Sequence, residues 1–438
     1  MMFSKKILFM LMFNVLQVEA YQRDVVIYGD SWANERDRLA KHLVTHFRQS
    51  SGLSGAGFCT LIESNGTADH QMVYLPTYSG WDASDQDVNS VGLNISHLSG
   101  DAEERSLDFY VKSAVDEIEV YYLKQPGGGS FLAYGQNALL GTVVTDDVNR
   151  SSAKAVFHWS PSVLPKYFRV KISDPNVSGV TISGVNFKTH ADGVRIHKIG
   201  NGGLTARHSV TVDEEIWVDS LAALDPEIFC ILLGTNDYSR NVIPAEFKTD
   251  IAELVRRVRL AKPAVEIILM APGDNGLTGR IFKIADYRDA LIELCIEKDL
   301  KFIDFKAVLG NYATADGLGL YSNEIHPNNA GGALMADAWL SLIIEGESGV
   351  PDEVIDVLNS RSFLDHSDFS LLDVVGRDVR VQWRRLPGVE YTLCKSLDLD
   401  EWDEVSLPTD YPQRVFINAL NEEENNFFKL KASYPGIW

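Results

Sequence analysis

Three short segments, far apart in the chain, carry the residue types that acyl transfer needs. Gly29-Asp30-Ser31 follows the apolar run Val25-Val26-Ile27-Tyr28. Gly234-Thr235-Asn236-Asp237 follows the apolar run Ile231-Leu232-Leu233. His326 stands late in the chain, in Glu324-Ile325-His326-Pro327-Asn328. A serine hydroxyl is a weak nucleophile by itself. It needs a base to take its proton and donors to hold the oxyanion that forms on attack. Ser31 offers the hydroxyl, and His326 a base with an ordinary pKa near neutrality. The neutral amide of Asn236 offers N–H groups that stay protonated throughout. Each alone has a bland reading: a helix N-cap serine, an Asn/Asp turn, a structural histidine. A fourth cluster, Gly200-Asn201-Gly202-Gly203-Leu204, lets backbone approach a ligand closely. Taken singly it is an ordinary strand-to-helix turn. The ordered combination points to chemistry.

The elements that must position these residues are legible from hydrophobic pattern. Residues 24–28 read as a buried strand, followed by a helix with Leu39, Leu43 and Phe47 on one face, ended by the glycines from Gly52 to Gly57. Alternating strands and helices return after residue 193. Strands are expected at 193–199, 229–233, 265–270 and 301–305, with helices at 247–260, 287–298 and 333–343. This alternation implies a parallel sheet with crossover helices, and sites on such sheets lie beyond the carboxyl ends of the strands. Between the two parts the texture is different. Short strands at 106–111, 117–122, 155–159, 167–172 and 180–187, several separated by turns such as Pro126-Gly127-Gly128-Gly129, read as an antiparallel β-sandwich. After residue 346, segments 379–383, 391–395, 414–417 and 426–431 read as a small all-β module with Trp383, Tyr391, Trp402 and Phe427 as its core.

The first twenty residues are expected to be a secretory signal peptide. Lys5-Lys6 precede the apolar run Ile7 to Leu16, and Val18-Glu19-Ala20 suits a signal peptidase. The run is too short to span a bilayer. The expectation is export, to the periplasm or outside the cell, with no integral membrane segment after cleavage. The division expected is 1–20 signal peptide, 21–70 first part of the α/β domain, 71–190 β-sandwich insert, 191–346 second part, and 347–438 C-terminal β-module.

A formal net charge of -21 argues against a nucleic-acid partner and against docking on anionic lipid. Four cysteines, Cys59, Cys230, Cys295 and Cys394, have no metal-ligand spacing, and Cys230 and Cys295 read as buried thiols. His42 and His46 have the spacing of two ligands on a helix face, but Leu43 stands where a zinc protease needs its acid. No metal site and no cofactor are expected.

The four blocks resemble the signatures of the SGNH (GDSL-type) hydrolase family. The resemblance covers about residues 21–60 and 193–345. It implies a flavodoxin-like three-layer domain and a serine esterase, with Ser31 as nucleophile and His326 as base. It also implies an oxyanion hole from Ser31, Gly203 and Asn236. The family places Asp three residues before the histidine, and this chain has Asn323. Glu324 and Asp316 are the other candidates for an orienting residue. The insert is similar in layout to secreted carbohydrate esterases of the O-acetylpeptidoglycan type. That layout implies a short acyl group, acetyl foremost, on a glycan substrate that the insert binds. Two alternatives stand beside it: an O-acyltransferase on glycans, and a glycan-binding protein with weakened catalysis.

Overall fold

The computed structural model describes residues 22–34, 38–62 and 72–344, together with the backbone of six strands between 369 and 433. The expected signal peptide, residues 1–20, lies outside the described residues, as does Trp402. The chain forms two compact units. One comprises Met1–Pro272 with Gly279–Leu300, the other Gly273–Thr278 with Lys301–Trp438.

In the first unit, β1 (Gln22–Gly29) leads through α1 (Ser31–Asn34) into α2 (Leu39–Gln49). α2 buries Leu39, Leu43 and Phe47, as their spacing implies, along with Ala40 and Val44. Then comes β2 (Gly55–Cys59), followed by ten strands: β3 (Val73–Tyr78), β4 (Asp82–Asp85), β5 (Ser96–Gly100), β6 (Ser106–Val111), β7 (Glu117–Lys124), β8 (Ser130–Gly135), β9 (Ala138–Val144), β10 (Ser151–His158), β11 (Lys166–Asp174) and β12 (Val180–Lys188). The chain then re-enters the α/β part. There follow β13 (Gly193–Gly200), α3 (Ala206–Thr211), α4 (Glu214–Leu224), β14 (Ile228–Leu232), α5 (Thr235–Ser239), α6 (Pro244–Ala261), β15 (Glu266–Ala271) and α7 (Ile284–Lys298). The strands run parallel in the order β13-β1-β14-β15. Both faces of β13 and β14 are buried along their whole length; β14 is accordingly a continuous apolar run, whereas β13 buries Arg195, His197 and Lys198 among its apolar residues. Cys230 on β14 and Cys295 on α7 are buried thiols, and burial pushes the Cys295 thiol up to about 12.

Residues 73–188, with β2, build two antiparallel sheets. One has the order β10-β7-β12-β5-β4, with β2 also on β12; the other is β3-β6-β11-β8-β9. Aromatic side chains meet between them. Phe187 of the first sheet packs on Phe109 and Phe168 of the second, at ring separations of 5.4 and 6.0 Å.

β2 and a buried polar network join the first of these sheets to the parallel sheet. A Cβ at Gly57 (φ +81°) would lie 2.5 Å from the Ile196 carbonyl oxygen, so only glycine lets β2 lie this close to β13. Asp24 of β1 accepts from Arg195 Nη1 at 2.7 and 3.0 Å and sits 2.9 Å from His197 Nε2. The Phe58 N–H donates to His197 Nδ1 at 3.0 Å, which leaves Nε2 carrying the ring proton toward Asp24. Burial raises the Asp24 pKa, but the His197 bond and then the Arg195 charge outweigh it, so the net shift is downward. On the other side, buried Glu119 accepts from Lys154 and Asn186, both at 2.8 Å. Lys154 also donates to the Ala223 carbonyl of α4 at 2.7 Å.

The second unit contains β16 (Lys301–Asp304), α8 (Phe305–Leu309), α9 (Tyr312–Gly317) and α10 (Asn329–Ile344). Beyond them lie β17 (Phe369–Val375), β18 (Asp378–Trp383), β19 (Glu390–Ser396), β20 (Asp403–Val405), β21 (Arg414–Asn418) and β22 (Phe427–Ser433). These six strands pair in two antiparallel sheets, β17-β18-β21 and β20-β19-β22. Among the described residues no helix is long and apolar enough to cross a membrane.

Candidate active site

Parallel register brings three of the four blocks together. Gly29 at the end of β1 pairs with Gly200 at the end of β13 on one side and with Leu232 at the end of β14 on the other. The loops that leave these strands therefore start at one level on the carboxyl edge of the sheet. The ladders continue one step further: the Asn201 N–H donates to the Gly29 carbonyl at 2.9 Å, and the Asp30 N–H to the Leu232 carbonyl at 3.2 Å.

Ser31 is buried and is the first residue of α1, so its N–H is among those a helix cannot satisfy internally. Asp30 shapes this turn. Its Oδ1 accepts the Trp32 N–H at 2.9 Å, and its carbonyl accepts the Ala33 and Asn34 N–H groups. Asn236, in α5, ties the loops together. Its Nδ2 donates to the Leu204 carbonyl at 3.0 Å and to Asp30 Oδ2 at 3.3 Å. Ser31, Gly203 and Asn236 thus stand on three adjoining loops of one unit. Gly203 has φ +82°, in the left-handed region that favours glycine.

Asp237, beside Asn236, faces the other way. Its carboxylate accepts the Ala206 N–H at 3.1 and 3.3 Å, and burial pushes its pKa up to about 7. It holds the start of α3 rather than facing the oxyanion loops. Two side chains that the sequence did not single out also touch the glycine turn. Gln86 donates to the Gly202 carbonyl at 2.6 Å, and Arg240 donates to the Gly203 carbonyl at 3.0 Å. Nothing in local sequence pattern marks them, because both act across long separations.

The histidine block belongs to the second unit. Asn323 Oδ1 accepts the N–H groups of Ile325 and His326, both at 2.9 Å, and lies 3.2 Å from His326 Nδ1. The two backbone donors fix the amide so that its oxygen, not its nitrogen, faces the ring. An oxygen there selects the tautomer with a proton on Nδ1, leaving Nε2 as the acceptor. Of the three candidate orienting residues, Asn323 is the one that touches the imidazole in this unit. Asp316 lies on α9 and Glu324 is exposed. After burial, these two carboxylates raise the pKa of Tyr312. The loop is closed behind the ring: Ser322 donates through N and Oγ to the His326 carbonyl at 2.9 and 3.1 Å, and Asn328 Oδ1 caps α10. Among the described residues no group of three His, Cys, Asp or Glu side chains is placed to hold a metal ion.

Fold and site together define an α/β protein with a parallel sheet and a serine, glycine and asparagine cluster on its carboxyl edge. Residues 180–334 match the GDSL-like Lipase/Acylhydrolase family. Over those residues the chain is similar to SGNH hydrolases, a family that acts on esters. In fold it is similar to the solved structure of a peptidoglycan O-acetylesterase, with a TM-score of 0.60, 15% identity, and coverage of 75% of this chain and 92% of that one. A lipolytic protein of the G-D-S-L family from Veillonella parvula is 20% identical, with a TM-score of 0.29, over 34% of this chain and 81% of that one. No curated protein matches the chain in sequence.

Proposed function

We propose that the protein is an exported serine esterase that removes short acyl groups, acetyl foremost, from a carbohydrate. The observation that carries this reading is the junction of three loops on one sheet edge. Asn236 Nδ2 bridges Asp30, next to Ser31, and Leu204, next to Gly203. That is the layout an oxyanion hole needs, with a nucleophile beside donors from separate loops.

In this mechanism His326 Nε2 takes the proton as Ser31 Oγ attacks the ester carbonyl carbon. The new oxyanion is held by the N–H groups of Ser31 and Gly203 and by Asn236 Nδ2, where it competes with Asp30 for the longer of the two bonds. The bond to the leaving alcohol oxygen breaks, and that oxygen takes the proton from His326. Water then attacks the acyl-serine, giving a proton to His326, and the proton returns to Ser31 as the acid leaves. Asn323 orients the ring but adds no charge, so the imidazolium is stabilised less than in a triad with Asp.

The glycan assignment draws on the fold likeness to a peptidoglycan O-acetylesterase and on the two antiparallel sheets of residues 73–188, taken as a β-sandwich insert that positions the sugar. The strands after residue 369 are taken as a separate all-β module, and residues 1–20 as the leader that directs export. The test is an esterase screen over acetylated glycans and p-nitrophenyl acetate, with Ser31→Ala beside the wild type. Acetate release from a glycan that vanishes in Ser31→Ala supports the reading. Equal background rates in both proteins sink it.

A further inference from the structure

The insert reaches the glycine turn through two consecutive residues, Asp85 and Gln86. Gln86 Nε2 donates to the Gly202 carbonyl at 2.6 Å and to Asn201 Oδ1 at 3.1 Å. Asn201 Nδ2 in turn donates to Asp85 Oδ1 at 2.6 Å and to the Asn94 carbonyl at 3.0 Å. Those two partners only accept, so Asn201 must present its oxygen to Gln86, and Gln86 its nitrogen to Gly202. The polarity of the whole chain of bonds is thereby fixed. Gln86 itself has φ +52°, a conformation uncommon for a residue with a side chain, and its N–H is held by the Ile95 carbonyl at 2.9 Å.

The geometry matters because Gly202 C=O and Gly203 N–H belong to one peptide group. That group is planar and trans, so its C=O and N–H point in opposite directions. A donor that anchors the Gly202 oxygen on one side turns the Gly203 N–H to the other side. The same bond polarises the peptide and makes its N–H a stronger donor. On the far side of Gly203, Arg240 anchors the next carbonyl at 3.0 Å. Glycine at φ +82° has no side chain of its own to resist rotation, so its neighbours must set the angle.

We propose that Gln86, supplied by the β-insert, is a positioning residue that aims and polarises the Gly203 N–H as an oxyanion donor. This rests on the reading of Gly203 as such a donor. It gives the insert a part in the chemical step, separate from any part in holding a glycan. The insert and the parallel sheet then form one catalytic assembly.

The test compares full-length wild type, Ser31→Ala, Gln86→Met and Gln86→Glu on p-nitrophenyl acetate. Gln86→Met keeps the shape and loses the donor; Gln86→Glu turns a carboxylate toward the Gly202 oxygen. The expected result is a kcat lower by about tenfold or more in Gln86→Met, with KM within about twofold and an unchanged unfolding midpoint. Gln86→Glu should fall further. A role confined to packing would instead move the unfolding midpoint and leave kcat per folded molecule intact, and that result overturns the proposal. If Gln86→Met does not fold, Gln86→Glu decides alone, and wild-type kcat in that variant overturns it. Turnover that persists undiminished in Ser31→Ala sinks the esterase reading and this inference with it. Ser31-dependent turnover with kcat unchanged at position 86 sinks this inference only.

Discussion

Replacing Asn323 by Asp tests how the histidine is oriented and what the missing charge costs. Asn323 Oδ1 sits 3.2 Å from His326 Nδ1, and a carboxylate at this position keeps the backbone N–H bonds from Ile325 and His326. A unit charge at that distance from an imidazolium is worth about 1.3 kcal/mol in the dielectric of water and about 5 kcal/mol at an effective dielectric of 20. Asn323 is exposed and His326 half-buried, so the low end applies. That corresponds to a rise of about one unit in the imidazolium pKa. The sign follows directly. Below the histidine pKa the base is already protonated and turnover is lost, so a raised pKa moves the acid limb of kcat/KM upward by about one pH unit. On the alkaline plateau the same charge favours the imidazolium that forms in the transition state, so kcat rises by several-fold to about tenfold. The assay is kcat/KM for p-nitrophenyl acetate from pH 5 to 9 in low salt, repeated at high salt, where the shift should shrink. An acid limb that stays put in Asn323→Asp would mean that residue 323 does not face Nδ1 when the enzyme works.

Three further outcomes follow from the fold. Asp237 is protonated at about 7 in the folded protein against an ordinary 3.8, so the folded state holds a proton the unfolded chain lacks between those values. Wild-type stability should therefore fall as pH rises from about 4 to about 7 and then level, whereas Asp237→Asn should give a flatter urea-midpoint profile and greater stability at pH 8. Asp24 has the opposite sign: its pKa is lowered, so its contribution is present above about pH 4 and is lost as pH falls through the folded value. Asp24→Asn should cost about 3 kcal/mol at neutral pH, because buried Arg195 loses its charge partner, and urea denaturation measures it. In Gly203→Ala the added Cβ meets nothing closer than 3.7 Å, so its cost is the left-handed backbone, about 1–2 kcal/mol. Relief of that strain by rotating the peptide should lower kcat by about tenfold or more, with kcat and KM measured separately.

Strands such as Phe229–Leu233 were legible because burial on both faces leaves an uninterrupted apolar run, and the blocks carrying Ser31 and Asn236 follow such runs directly, whereas the Gly203 block follows β13, which Arg195, His197 and Lys198 interrupt. The glycines from Gly52 to Gly57 show the limit. They do end α2, as their sequence implies, but Gly55 and Gly57 also belong to β2, a strand that the pattern did not reveal. Glycine there weakens every strand signal, and the reason for it lies elsewhere in the chain, at the Ile196 carbonyl. Asn323 was legible as a departure from the family pattern, while its orientation needed the two backbone donors that fix the amide. Gln86 and Arg240 were invisible for a physical reason. Each contributes one hydrogen bond to a loop many residues away, and such bonds leave no period in the sequence.

In the proposed mechanism Ser31 becomes covalently acylated and is relieved by water. Mixing the protein with p-nitrophenyl acetate, quenching in acid and mapping the peptides by mass spectrometry tests this directly. An acetyl group is expected on the peptide containing Ser31, more abundant in His326→Ala pre-loaded at high pH than in the wild type at steady state, and absent from Ser31→Ala. Acetyl found only on other side chains, with Ser31→Ala turning over at the wild-type rate, would contradict it.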